Sequence, residues 1–181
     1  MSIPRLIVLT VLLSLGVFPA SGTEPVPRKS PDLMIVEPSS KQTRLSSLKG
    51  KVVMIEFLVT NCPHCLRVAQ TISKLQWEMG ARGLQSIGVA FDSGVNGHIV
   101  TKFTQRLAIT FPVGYVSSDK VDTYLGRSGT ERFRVPQVVV IDRKGVIRAQ
   151  SSPVGEKNLE NENYLRNLID GLLKESASGG R

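Results

Sequence analysis

The alternation of apolar and polar residues predicts a layered domain of strands and helices, and its clearest strand is Val52–Val59. Glu56 is the one polar residue in that stretch. A run this apolar is typical of a strand that is buried on both faces, as in the middle of a mostly parallel sheet. We therefore expect Val52–Val59 to be a central strand.

Helical spacing follows directly after this strand. Over Pro63–Met79, apolar residues recur every three or four positions, which predicts a helix with one face against the sheet. Pro63 suits the first turn, where its missing N–H costs nothing, and Gly80 and Gly83 end the pattern. Similar spacing predicts helices over His98–Leu107, over Asp119–Leu125 with Asp119 as N-cap, and over Glu156–Lys174.

Shorter apolar runs complete the predicted sheet. The strands are Asp32–Val36, Leu84–Phe91, Phe111–Val116, and a hairpin of Gln137–Asp142 and Val146–Gln150. The hairpin is predicted because a short turn containing Gly145 joins two β-branched runs. Elsewhere we predict a polar turn over Glu37–Arg44, a helical turn over Leu45–Gly50 and a polar loop over Arg127–Arg134.

The order of these elements predicts the fold class. Strands that alternate with helices and end in a hairpin indicate an α/β domain with a parallel centre and an antiparallel edge. We expect this domain to span residues 31–174, after a flexible, proline-rich leader over residues 23–30 and before a disordered tail over residues 175–181. Reaction sites in such sheets lie at the carboxyl ends of the strands.

Residues 1–22 have the pattern of an export signal. Arg5 supplies a positive charge, Leu6–Phe18 an apolar run, and Ala20–Gly22 the small residues that suit cleavage. The alternative is an uncleaved membrane anchor, although about 13 apolar residues fall short of the ~20 that span a bilayer. We expect export to the periplasm or to the outer face of the cytoplasmic membrane, where disulfides persist.

Charge and length narrow the classes of function. The chain has 181 residues and a formal net charge of +8. Its basic residues are scattered and form no run interleaved with aromatics, so the pattern does not favour nucleic-acid binding. A solvated surface is the simpler interpretation, and attraction to an anionic membrane is the alternative. We expect a monomer with a single core.

The candidate chemistry lies in Cys62 and Cys65, the only cysteines, which Pro63 and His64 separate. Thiols three residues apart at a helix start lie close enough to form a disulfide. The helix N-terminus stabilises a thiolate, so we expect Cys62 to be the exposed nucleophile and Cys65 the buried partner that resolves a mixed disulfide. Pro63 and His64 are the expected tuning residues, because a charged His64 favours the thiolate and makes the pair more oxidising.

Other interpretations of the two thiols can be compared with this one. Unrelated core cysteines would be scattered along the chain and would not follow a buried strand together. A zinc site needs four ligands, and His64 and His98 are the only histidines available to complete one. We expect no metal and no cofactor other than the Cys62–Cys65 disulfide, although a thiol pair also suits transient Cu(I) binding.

Two more residues stand out because buried strands rarely contain them. A charged carboxylate is costly to bury, so the pKa of Glu56 should rise; we predict that Glu56 carries the proton of Cys65, the alternative being a glutamate that reaches solvent. Pro136 precedes the buried run that begins at Gln137. A cis Val135–Pro136 bond would present the Val135 backbone to an extended substrate, whereas a trans proline would simply begin the strand.

Together these features resemble the TlpA/ResA branch of exported thioredoxin-like proteins. The resemblance rests on residues 48–53 (LKGKVV), on Cys62-Pro63-His64-Cys65, and on Val135-Pro136 followed by residues 138–147 (VVVIDRKGVI). It covers about residues 31–173. It implies a thioredoxin fold, a central mixed sheet flanked by helices, with an inserted strand and helix over Leu84–Leu107. Glu56 falls where thioredoxins keep a buried acidic residue, and Val135-Pro136 where they keep a cis-proline.

The resemblance implies a thiol–disulfide oxidoreductase that acts on exported protein thiols and is reset by a membrane thiol–disulfide reductase or oxidase. The direction of electron flow stays open, since the Pro-His pair is similar to that of the oxidant DsbA whereas most TlpA/ResA relatives are reductants. Asn61 stands in place of the family's tryptophan, and Gln137 in place of a common threonine. A peroxiredoxin-like thiol peroxidase is an alternative, disfavoured because Val59 replaces the threonine before a peroxidatic cysteine. A copper-binding thiol chaperone is another.

Overall fold

The computed structural model describes residues 24–127, 134–155 and 157–175. The strands are β1 (Arg28–Lys29), β2 (Met34–Val36), β3 (Gln42–Arg44), β4 (Val52–Leu58), β5 (Leu84–Ala90), β6 (Val113–Tyr115), β7 (Gln137–Ile141) and β8 (Val146–Gln150). The α-helices are α1 (Pro63–Met79), α2 (Gly97–Leu107), α3 (Ser118–Leu125) and α4 (Glu162–Lys174). Short 3-10 helices cover Leu45–Leu48, Gly80–Arg82 and Lys157–Glu160.

All eight of these strands belong to one mixed sheet in the order β1-β8-β7-β4-β5-β6-β2-β3. The central strand β4 pairs parallel with β5 and antiparallel with β7. The pairs β7–β8 and β1–β8 are antiparallel and form one edge. The predicted α/β class, with a parallel centre and an antiparallel edge, is confirmed.

Burial of β4 on both faces explains its apolar sequence. Met54 and Leu58 face a cluster that includes buried residues of α1, α2 and α4. Ile55 and Phe57 face the opposite cluster, in which the rings of Phe57 and Tyr124 lie 5.3 Å apart. Because side chains alternate along a strand, Glu56 is directed to the same face as Met54 and Leu58, the face that α1 covers.

The sheet has an edge strand on each side that the sequence did not predict. Within the expected polar turn, Gln42–Arg44 forms β3 and pairs with β2. Two of its three residues are exposed, so no apolar alternation marks it. Within the expected leader, Arg28–Lys29 forms β1 and pairs with Val146 and Ile147 of β8. The folded part of the chain therefore begins before residue 31.

Two predicted helix starts are wrong. The N-cap of α3 is Ser117, and Asp119 lies in the first turn. The last helix does not run continuously to Lys174: a 3-10 helix over Lys157–Glu160 precedes α4, and the predicted first residue, Glu156, lies outside the described residues. The break occurs because the Asn161 side chain accepts a hydrogen bond from the Tyr164 N–H at 3.0 Å, which caps a new helix.

Some predictions concern residues outside the described ranges. These are the export signal over residues 1–22, residues 128–133 of the polar loop, and residues 176–181 of the tail. In the part of the chain that the structure covers, no helix combines the length and the apolar character needed to cross a membrane.

Candidate active site

Cys62 lies where β4 passes into α1, at the carboxyl end of the central strand. Its N–H donates to the Val59 carbonyl at 3.1 Å and closes the turn between the two elements. With φ −81° and ψ 114°, Cys62 is the N-cap of α1, and Pro63 takes the first helical position. The Cys62 side chain therefore lies at a helix N-terminus, where unpaired N–H groups favour a negative charge.

The two thiols differ in accessibility. Both cysteines are free, Cys62 is partly exposed, and Cys65 is completely buried. The Cys65 N–H donates to Sγ of Cys62 at 3.3 Å, a contact that stabilises a Cys62 thiolate. Burial raises the pKa of the Cys65 thiol well above its ordinary value, and the hydrogen bond to the Cys62 side chain raises it further. The structure thus places an accessible thiol above a buried, weakly acidic one.

Glu56 is completely buried in β4, so it does not escape to solvent. It pairs with Gly88 of β5 and Val138 of β7, and neither carboxyl oxygen has a hydrogen-bond partner among the described residues. Burial raises its pKa well above the ordinary value, and the charge of Cys62 raises it further. The charge of Glu56 in turn raises the pKa of Cys65. The predicted rise for Glu56 is confirmed, and its proton-carrying role stays a prediction.

The turn before Cys62 is held by a residue that the sequence analysis did not select. Asp92, just after β5, accepts hydrogen bonds from the Thr60 N–H at 2.9 and 3.1 Å and from the Thr60 hydroxyl at 2.8 Å. Arg106 of α2 donates to the Thr60 carbonyl at 3.1 Å. Strand β5 and helix α2 therefore fix the backbone two residues before Cys62. An aspartate directly after a buried strand is the signal that could have pointed to it.

His64 also makes a contact that the sequence did not predict. Its Nε2 lies 2.7 Å from Oε2 of Glu160, at the end of the 3-10 helix Lys157–Glu160. This contact joins the residue between the two cysteines to the segment before α4. It depends on tertiary packing, so no local pattern in the sequence predicts it.

Val135 and Pro136 lie at the same end of the sheet as the cysteines. The bond between them is cis. They directly precede β7, whose Gln137 pairs with Phe57 near the end of β4. Val135 and Cys62 pack against the same hydrophobic cluster. The Gln137 amide donates to the carbonyls of Arg134 at 2.6 Å and Ser152 at 3.2 Å, which fixes the segment before β7.

One cavity lies away from the cysteines, and the described residues contain no cluster of metal donors. A cavity of about 450 Å³ lies at the opposite end of β4, and its lining includes Lys29, Lys49, Lys51 and Lys144. Among the described residues, no three histidine, cysteine or acidic side chains converge as metal ligands would. The copper-binding alternative rests on the two thiols of Cys62 and Cys65.

Comparison with known proteins identifies relatives along most of the chain. Residues 24–168 match the family model described as Redoxin. The chain is similar to thiol-disulfide oxidoreductase ResA of Bacillus thuringiensis (strain Al Hakam), at 26% identity over 172 residues, 91% of this chain and 94% of the relative. It is also similar to thioredoxin-like protein YneN of Bacillus subtilis (strain 168), at 26% identity over 122 residues, 67% of this chain and 68% of the relative.

Solved structures agree with these relatives. A candidate protein disulfide isomerase from Bacteroides thetaiotaomicron superposes with a TM-score of 0.70 at 27% identity, covering 86% of this chain and 94% of that one. A thiol:disulfide interchange protein of the thioredoxin family from Chlorobium tepidum TLS superposes with a TM-score of 0.68 at 21% identity, covering 83% and 99%. The thioredoxin fold is confirmed, and so is the resemblance to the ResA branch.

Proposed function

The chain belongs to the Redoxin family, and from that membership and the site geometry we propose that it is an exported thiol–disulfide oxidoreductase working through Cys62 and Cys65. The class of activity agrees with the name of the ResA relative. One observation carries the proposal: the accessible Sγ of Cys62 accepts the N–H of Cys65 at 3.3 Å, while the thiol of Cys65 is completely buried.

In the reducing direction, the Cys62 thiolate attacks one sulfur of a substrate disulfide. The substrate S–S bond breaks, a mixed disulfide forms, and the other substrate sulfur leaves as a thiolate. Cys65 then loses its proton and attacks Sγ of Cys62, which releases the second substrate thiolate and leaves the Cys62–Cys65 disulfide. Two electrons pass from the protein to the substrate, and the reverse sequence oxidises a substrate dithiol.

Glu56 supplies the base for the second step. Negative charge on Cys62 raises the pKa of both Glu56 and Cys65. Formation of the mixed disulfide removes that charge, so both groups become more acidic just when Cys65 must lose its proton. Glu56 in its carboxylate form then accepts the proton inside the core, where no solvent reaches the Cys65 thiol.

Val135 and Pro136 form the surface on which the substrate chain docks. Support comes from their place at the carboxyl end of β4 and from the shared packing of Val135 and Cys62. A substrate held in extended form beside Val135 would bring its sulfur to Cys62, the more accessible thiol.

Export and partners are further parts of the proposal. The apolar run Leu6–Phe18 supports export to the periplasm or to the outer face of the cytoplasmic membrane. The partners there are protein thiols and disulfides, and a membrane thiol–disulfide reductase or oxidase resets the pair of the monomeric protein. Fractionation of cells that make the full chain or residues 23–181 tests this: deletion of residues 1–22 should leave the protein in the cytoplasm.

Reduction of insulin by dithiothreitol tests the activity. The wild-type chain should accelerate the reaction, and Cys62→Ser should abolish the acceleration because it removes the nucleophile. Full dithiol activity in Cys62→Ser would refute the assigned roles. Two other outcomes would favour the alternatives: peroxide consumption without insulin reduction indicates a thiol peroxidase, and Cu(I) retained after dialysis without insulin reduction indicates a copper chaperone.

A further inference from the structure

The contact between His64 and Glu160 places a carboxylate against the redox motif. Their side chains are 43% and 18% exposed, so the carboxylate is the less solvated partner. Glu160 is held in place by the 3-10 helix that it ends and by Asn161, the N-cap of α4. The Nε2–Oε2 distance of 2.7 Å is that of a charge-assisted hydrogen bond.

Other ion pairs join α1, or the 3-10 helix that follows it, to α4. Lys74 pairs with Glu162, Glu78 with Arg166, and Arg82 with Asp170. Docking of α4 against α1 is therefore a role that Glu160 shares with these residues. The His64–Glu160 pair differs from them because its basic member lies between the two redox cysteines.

Glu160 is the acidic residue that contacts His64, and a second basic residue lies nearby. Among the described ion pairs, Glu160 provides the carboxylate that faces His64. Arg67, one turn further along α1, is the other basic side chain near this turn and donates to the Pro63 carbonyl at 3.4 Å. When His64 is protonated, Glu160 therefore offsets the positive charge between the two cysteines.

We propose that Glu160 is a positioning residue for the redox pair: its carboxylate holds Nε2 of His64 at 2.7 Å, and when His64 is protonated this ion pair keeps the charge from stabilising the Cys62 thiolate. The inference rests on the proposed function and adds the group that adjusts its potential. An unpaired cation beside Cys62 would stabilise the reduced form and make the pair a strong oxidant. The His64–Glu160 ion pair has no net charge and stabilises the reduced form far less. This protein is therefore a weaker oxidant than its Pro-His sequence alone indicates.

The substitution Glu160→Gln tests the sign of this effect. It removes the negative charge and keeps the shape of the side chain. The charge of a protonated His64 is then no longer offset by Glu160 and can stabilise the Cys62 thiolate. The thiolate should then form at lower pH, and the equilibrium with glutathione should shift toward the reduced protein by about three- to tenfold.

Glu78→Gln is the matched control, because it removes the same charge from an ion pair between α1 and α4, away from the cysteines. Thiolate formation, followed by its ultraviolet absorbance against pH, and the glutathione equilibrium should both be unchanged in this variant. In a His64→Ala background, the effect of Glu160→Gln should largely vanish. The proposal is overturned if Glu160→Gln gives no shift or the opposite shift, if Glu78→Gln gives an equal shift, or if the effect persists without His64.

The two measurements separate this inference from the proposed function. Thiolate titration uses the reduced protein and needs no turnover, so it decides the role of Glu160 in either case. A wild-type chain that forms no Cys62–Cys65 disulfide with glutathione contradicts the proposed function alone.

Discussion

The charge of Cys62 acts on Glu56, a completely buried carboxyl group of the preceding strand, and raises its pKa beyond the effect of burial. A change of charge at the accessible thiol therefore alters the pKa of a carboxyl group in the core. Cys65 responds to both groups, since the charges of Cys62 and Glu56 each raise its pKa. The three residues form one electrostatic unit that connects the surface with the core.

Glu56→Gln should slow the step in which Cys65 resolves the mixed disulfide. The amide cannot accept a proton, and Cys65 is completely buried, so water replaces the carboxylate poorly. We expect a decrease of about 10- to 100-fold in the single-turnover rate of resolution, and a nearly unchanged rate of attack by Cys62. Stopped-flow measurements with a labelled disulfide peptide separate the two steps. Equal slowing of both would argue against a role confined to Cys65.

The same substitution should stabilise the reduced protein at neutral and higher pH. A carboxyl group whose pKa is raised on folding binds its proton more tightly in the folded state, so wild-type stability falls as pH rises above its ordinary value of 4.5. The substituted amide does not titrate, so the gain should grow by about 1.4 kcal/mol per pH unit until the folded pKa is passed. Urea unfolding at a series of pH values measures this gain, and a pH-independent difference would contradict the burial argument.

Asp92→Ala should loosen the turn before Cys62. It removes the acceptor of the Thr60 N–H and hydroxyl, and we expect a loss of about 1–3 kcal/mol in the free energy of unfolding. Thr60→Val is the control: it removes the hydroxyl and keeps the N–H bond, so its cost should be about 1 kcal/mol or less. If urea unfolding showed the same loss of stability in both variants, the hydrogen bond from the Thr60 N–H to Asp92 would contribute nothing.

The two cysteines should behave differently in trapping experiments. Cys65→Ser keeps the accessible nucleophile and removes the resolving thiol, so stable mixed disulfides with substrate proteins should accumulate. Cys62→Ser keeps only the buried thiol and should accumulate few. Non-reducing gels and mass spectrometry of the trapped species provide the measurement. Trapping by Cys62→Ser at the level of Cys65→Ser would reverse the assigned order of attack.

The core of this site could be predicted from the sequence because its signals are local. The strand containing Glu56, the helix that begins at Pro63 and the cysteine pair between them lie within one short stretch. Apolar periodicity predicted both elements, and the burial of Glu56 followed from its apolar neighbours. The cis form of Val135–Pro136 was one of two alternatives that the sequence left open.

Two kinds of feature could not be predicted: contacts between residues far apart in the sequence, and the short edge strands of the sheet. Thr60 meets Asp92, and His64 meets Glu160, only after the chain has folded, and a polar side chain alone does not identify its partner. The edge strands Arg28–Lys29 and Gln42–Arg44 are short and polar, so periodicity does not mark them. Asn161, the N-cap of α4, matches the residue preferences of that position, but the helical pattern continues on both sides of it and hides the break.

Equilibration of the wild-type chain with defined ratios of reduced and oxidised glutathione tests the central claim most directly. Mass spectrometry of the quenched samples distinguishes the dithiol, the Cys62–Cys65 disulfide and any glutathione adduct. The account predicts a single two-electron transition to the intramolecular disulfide, at a potential between about −270 mV and about −120 mV. Stable glutathione adducts without a Cys62–Cys65 disulfide, or thiols that stay reduced throughout this range, would contradict it.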